Sequence, residues 1–273
     1  MNIKSVFKRP MVQFVLLSHL IFWLFLIIIG FGMMMGASAS FLHGMQIIAA
    51  WSSTFAFVIL FRKLGLEEDI WIFIKKQFAG KVKARLVVVA LGLQTAIFLI
   101  GMVFLKEGQD VQNLTISRAQ ILLIAFFDLL IRGSLGEELG WRGYALNELQ
   151  KKHCPLKAAL IIGLLWGTWH APLWLLSGYN GIDLILYSLS FMIGILGISI
   201  IISFFYNLNR NLLVPIVIHQ AFNYFLYLSQ NMRANSIWYT LLAYGVAGLI
   251  LIVINPMQML YPKQSLLELS DKG

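Results

Sequence analysis

An all-α, polytopic membrane fold is what this sequence predicts, and three observations carry the prediction. Hydrophobic residues make up 59% of the 273-residue chain and charged residues only 12%, where a soluble domain carries about 25% charged residues. Apolar stretches recur at roughly the 20-residue length that a helix needs to cross the hydrocarbon core. The basic residues, finally, collect on one set of loops. Spans of this kind are expected as helices, because an apolar segment in lipid must satisfy its own backbone groups.

Eight candidate spans follow one another, at approximately 11–33, 45–61, 86–105, 119–138, 157–176, 182–206, 212–229 and 237–256. The first follows a basic leader, and Ala37-Ser38-Ala39 resembles a signal-peptidase site. The apolar run from Met11 to Gly36 is longer than a usual signal core, so it reads as an uncleaved first helix. After the second span, 62–85 mixes charges with Trp71, Ile72, Phe73, Ile74 and Phe78. It reads either as an amphipathic helix in the cytosolic interface, with Lys75, Lys76 and Lys81 near lipid phosphates, or as a solvated loop. Residues 106–118 form the main outer loop, and the fourth span runs on through a less apolar stretch to Gln150. Short loops at 177–183 and 207–211 imply antiparallel, packed neighbours. No repeat, linker or low-complexity tract divides the chain, so 1–273 is expected as a single integral membrane domain.

The net charge of +9 is topology information. With the N-terminus in the cytosol and eight alternating spans, the inner segments hold sixteen Lys and Arg and the outer loops only Lys106, Arg118 and Arg233. The positive-inside rule then places both termini in the cytosol, with the plasma membrane as the expected location and the lipid bilayer as a partner. Nucleic acid is not expected as a partner. The single cysteine, Cys154, cannot form an internal disulfide.

Ionisable side chains inside spans are costly and mark pathways or sites. They concentrate in three segments: Glu137-Glu138-Leu139-Gly140-Trp141-Arg142, Trp166-Gly167-Thr168-Trp169-His170 and His219-Gln220-Ala221-Phe222-Asn223. Glu138 and Arg142 are four apart, so they stack on one helix face and can pair. Glu137 lies about 100° round the helix with no local counter-charge, which suits a general base. His219 and Asn223 share a face, and His170 stands two residues before Pro172, where a bend is expected. Glu137 and His170 both lie about 20 Å along their helices from the cytosolic ends, and His219 about 10 Å from its own.

Two carboxylates, two histidines and an asparagine suit hydrolysis. Glu137 could take a proton from water attacking an amide carbonyl, with a histidine positioning that water or protonating the leaving amine. His219 and Asn223 could donate to the developing oxyanion. Alternatively Glu137, His170 and His219 could hold a zinc ion or another divalent metal, although no H-E-x-x-H is present. Structural readings stand beside these. His19 and Asn223 could be interhelical hydrogen-bonding residues, Glu138–Arg142 a supporting pair, and Trp23, Trp51 and Trp238 belt or packing residues.

EELGWR at 137–142, WGTWH at 166–170 and HQAFN at 219–223 resemble, in order, the EExxxR, FxxxH and HxxxN motifs of the CPBP family of CAAX proteases and bacteriocin-processing enzymes, also called the Abi family. Trp166 stands where Phe is commoner. The motif core covers approximately 119–229. The resemblance implies an intramembrane endopeptidase acting on a membrane-associated peptide or protein. Glu137 and His170 would activate water, His219 and Asn223 would form the oxyanion site, and Glu138, Arg142 and Trp166 would support them. The family has been described both as metalloproteases and as metal-independent glutamate proteases. A non-catalytic bacteriocin-immunity protein and a proton-coupled transporter are the alternatives; against the latter, no inverted repeat is visible.

Overall fold

The computed structural model of the chain describes residues 9–103, 116–232 and 236–261. Among these residues every regular element is helical. The helices are α1 (Pro10–Met34), α2 (Ala39–Ala50), α3 (Ser52–Leu60), α4 (Ile70–Ala79) and α5 (Ala84–Val103). Next comes a composite helix, α6, which begins at Ile116–Leu129 and runs on to Asn147–Gln150. α7 (Pro155–Trp169), α8 (Ala171–Leu175), α9 (Gly181–Asn209), α10 (Leu213–Met232), α11 (Ser236–Ile254) and α12 (Pro256–Leu260) complete the order.

Among the described residues five helices are long and apolar enough to cross a membrane: Pro10–Met34, Ala84–Gly101, Ala119–Gln150, Gly181–Asn209 and Ile237–Ile254. A sixth span results if α2 and α3, bent by 51° at their junction, count as one. The chain is an integral membrane protein, and five or six of the eight expected spans are met by length and composition among the described residues. The expected spans at 157–176 and 212–229 fall on shorter apolar helices, Pro155–Trp169 and Leu213–Ser229. α7 stops at Trp169 because the chain turns at His170, two residues before Pro172. Its 15 residues measure about 22 Å, short of a hydrocarbon core of about 30 Å. The described apolar stretch of α10, Leu213–Ser229, is likewise short, and it buries the polar side chains of His219 and Gln220. The expected outer loop lies outside the described residues over 106–115.

α9 is the central strut, packed on α7 along one side and on α11 along the other. The α9–α11 crossing is closed to backbone contact: a Cβ at Gly197 would lie 2.2 Å from the Tyr244 carbonyl oxygen. Small residues at a crossing are how helices pack tightly when lipid supplies no hydrophobic drive between them. α1 packs on α2, α3 and α7, burying Phe14, Ser18 and Phe22. The amphipathic reading of 62–85 holds over α4. Asp69 caps it by accepting the Trp71 N–H at 2.8 Å, and Phe73 is buried against Phe57 and Phe61.

The candidate site sits where α6 departs from α-helical geometry. Two π-helical turns, Leu130–Ser134 and Leu139–Leu146, flank the short α-helical stretch Leu135–Glu138. Gly133, inside the first, has non-helical angles of φ −153° and ψ −105°. π-turns widen a helix locally and recur at functional sites.

Candidate active site

The two adjacent acids of α6 have separate partners. Glu138 is fully buried, and its Oε1 accepts a hydrogen bond from Arg142 Nη1 at 2.8 Å and faces His219 Nδ1 at 2.8 Å. The expected pair is therefore a triad that ties α6 to α10. Arg142 is also fully buried, and its guanidinium lies 4.2 Å from the centre of the Trp166 ring. Buried charges persist only when paired and hydrogen-bonded, and here pairing and ring contact both serve.

Glu137 has no cationic partner among the described residues; its Oε2 instead accepts the Trp166 indole N–H at 2.6 Å. The ring of Trp166 meets His219 edge-on at 4.8 Å and His170 at 5.6 Å between centroids. One tryptophan thus touches Glu137, Arg142, His170 and His219, and it is itself fully buried.

Asn223 approaches from α10. A Cβ at Gly133 would lie 2.6 Å from Asn223 Nδ2 and 4.0 Å from Glu137 Oε1, so both groups border the space that Gly133 leaves open. His170 caps the C-terminus of α7, with Nδ1 2.7 Å from the Trp166 carbonyl oxygen. A carbonyl only accepts, so Nδ1 carries the proton and Nε2 of the neutral ring is an acceptor. The same logic places a proton on His219 Nδ1, which faces the Glu138 carboxylate. Of the expected residues, Glu137, Arg142, His170 and His219 thus meet at Trp166, Glu138 joins Arg142 to His219, and Asn223 and Glu137 both border Gly133.

Among the described residues no group of three His, Cys, Asp or Glu side chains is placed to hold a metal ion, the trio Glu137, His170 and His219 included.

Several contributors escaped the sequence reading. Ser53 Oγ donates to the Glu137 carbonyl at 3.0 Å and Thr54 Oγ1 to the Gly136 carbonyl at 2.7 Å. These hydroxyls serve carbonyls beside the π-turns. Trp51 packs against α6, with its indole N–H donating to the Ile131 carbonyl at 2.9 Å and its ring filling the notch at Gly136. Gly140, four residues on, admits Ser53, whose carbonyl oxygen would lie 2.6 Å from an added Cβ. Two signals were available: glycines four apart on either side of the Glu-Glu pair, and Ser52-Ser53-Thr54 inside an apolar span. His19 links α1 to α7, with Nε2 3.3 Å from Thr168 Oγ1, and Trp23 donates to the Trp169 carbonyl at 3.0 Å. Both are interhelical contacts of the kind expected for packing residues.

Residues 118–225 match the family described as type II CAAX prenyl endopeptidase Rce1-like. The chain is also 34% identical, over 110 residues, to a CAAX prenyl protease 2 from Methanococcus maripaludis. That match covers 39% of this chain and 40% of the relative, so the likeness spans well under two thirds of the curated protein. The family match contains all three motifs and stops just beyond Asn223.

Proposed function

We propose that this chain, whose residues 118–225 match the type II CAAX prenyl endopeptidase Rce1-like family, is a member of the CPBP family and an intramembrane endopeptidase hydrolysing a peptide bond in a membrane-associated peptide or protein. The observation that carries the reading is the asymmetric holding of Glu137: Oε2 is fixed by Trp166 Nε1 at 2.6 Å, while Oε1 borders the Gly133 opening beside Asn223.

Glu137 takes the proton of a water as its oxygen attacks the amide carbonyl carbon. His170 accepts a hydrogen bond from that water through Nε2, because its Nδ1–H is committed to the Trp166 carbonyl. The carbonyl oxygen becomes an oxyanion and receives the Asn223 amide N–H. His219 can add a second donation from Nε2 only as an imidazolium, since its Nδ1–H faces Glu138. The carbon–nitrogen bond then breaks, and the proton held by Glu137 passes to the leaving amine. Arg142 and Glu138 hold His219 and the Trp166 ring in place.

The name of the Methanococcus maripaludis relative suggests a prenylated CaaX-type substrate. The proposed setting is the plasma membrane with both termini cytosolic, as the loop charges favour. The test is purified protein in vesicles, given a membrane-bound CaaX-type peptide with and without a farnesyl group. Cleavage that survives a strong chelator is expected. No product from either peptide would refute the reading, and activity lost to chelator and restored by zinc would overturn the metal-free mechanism.

A further inference from the structure

α4 lies between the end of the bent α2–α3 pair at Lys63 and the start of α5 at Ala84. A stretch this short between the bent α2–α3 pair and the membrane helix α5 begins and ends on one side of the bilayer, so α4 lies at its surface. One face of α4 is docked on the protein: Phe73 is buried, and Ile70, Ile74 and Gln77 are half-buried. The opposite face is open and apolar, with Trp71 68%, Ile72 50% and Phe78 43% exposed. Lys75 lies on that same face, four residues from Trp71.

Charge identifies the occupant. Lys76 pairs with Glu68, and Lys83 donates to the Leu208 carbonyl at 3.0 Å. Arg62, Lys63, Lys75, Lys81 and Arg85 are exposed and make no hydrogen bond or ion pair among the described residues. An exposed aromatic and aliphatic face flanked by uncommitted cations, fixed at a bilayer surface, complements lipid with anionic headgroups. A soluble protein partner would have to displace lipid from that face.

We propose that α4 is an interfacial helix that sinks Trp71, Ile72 and Phe78 among the acyl chains and takes anionic phospholipid headgroups on Lys75 and Lys81, with Arg62, Lys63 and Arg85 around them. It is not an isolated appendage. The Gln77 carbonyl accepts the Leu212 N–H at 2.7 Å, and Asn211 Nδ2 donates to the Phe78 carbonyl at 2.9 Å. The lipid-facing helix and the start of α10, which carries His219 and Asn223, are therefore one hydrogen-bonded unit. The inference does not depend on peptidase activity.

The experiment has two arms, neither of which reads cleavage. In the first, a fluorophore is placed at Ile72→Cys in a Cys154→Ser background, in vesicles of phosphatidylglycerol and phosphatidylcholine. Quenching by spin-labelled lipid with protection from aqueous iodide is expected. Quenching by iodide alone would overturn the proposal and put a water-facing or protein-binding surface in its place. In the second, native mass spectrometry counts retained phosphatidylglycerol against phosphatidylcholine. Wild type should prefer phosphatidylglycerol, and Lys75→Ala/Lys81→Ala should weaken that preference on the order of tenfold. An unchanged preference in the double variant would remove these lysines as the headgroup site.

Discussion

Replacing Arg142 by methionine tests how the buried charges are held. Arg142 and Glu138 are both fully shielded from solvent, and the pair closes at 2.8 Å. Methionine keeps much of the length and apolar contact but leaves Glu138 Oε1 with His219 alone; Glu138 Oε2 already has no hydrogen-bond partner among the described residues. Breaking a buried pair by removing one member costs about 3–5 kcal/mol. Loss of the guanidinium from the Trp166 ring adds about 0.5–2 kcal/mol. Arg142→Met should therefore unfold at clearly lower denaturant than wild type. Glu138→Gln/Arg142→Met removes the stranded charge and should recover part of the loss, with a coupling of about 1–3 kcal/mol. The assay is denaturant unfolding in detergent, followed by tryptophan fluorescence, across the four members of the cycle. Wild-type stability in Arg142→Met, with no recovery in the double variant, would refute the supporting role; lost cleavage alongside that stability would move Arg142 into the chemistry.

Three further outcomes follow from the same geometry. Trp166→Phe removes the donor to Glu137 Oε2 while keeping an aromatic ring, so turnover should fall about tenfold with substrate affinity little changed, as for loss of one hydrogen bond to a charged group; unchanged turnover would show that this bond does not position the carboxylate. Gly133→Ala puts a methyl 2.6 Å from Asn223 Nδ2 and should cost more activity than unfolding stability; equal activity to wild type would show that the Gly133 opening is not part of the site. Reporter fusions at residues 70 and 152 should read cytosolic, and an external reading at 70 would reverse the orientation.

What was legible in the sequence was whatever depends on local spacing. Apolar length announced the membrane helices, and the i to i+4 interval announced the Glu138–Arg142 pair, because both follow from 1.5 Å rise and 3.6 residues per turn. Pro172 announced the break after His170. Spacing says nothing about a partner from another helix. That Glu138 also receives His219, and that Glu137 is held by the Trp166 indole, needed three helices in place. The π-turns at Leu130–Ser134 and Leu139–Leu146 were invisible because hydroxyls from a distant segment, Ser53 and Thr54, help to satisfy the carbonyls there. Among the described residues length and composition mark five or six of the eight expected spans, for a related reason. Apolar length measures what lipid or protein can cover, and the described apolar stretches of α7 and α10 are too short to pass as full spans.

The central claim is that Glu137 is the base, and Glu137→Gln tests it most directly. The amide oxygen of glutamine can still accept the Trp166 N–H, so the fold and the held geometry should survive. The side chain can no longer take a proton from water. Cleavage of a membrane-bound peptide by the purified variant should fall by at least about 10²-fold, the scale of a lost general base, with unfolding stability near wild type. A Glu137→Gln protein that cleaves at close to the wild-type rate would contradict the account.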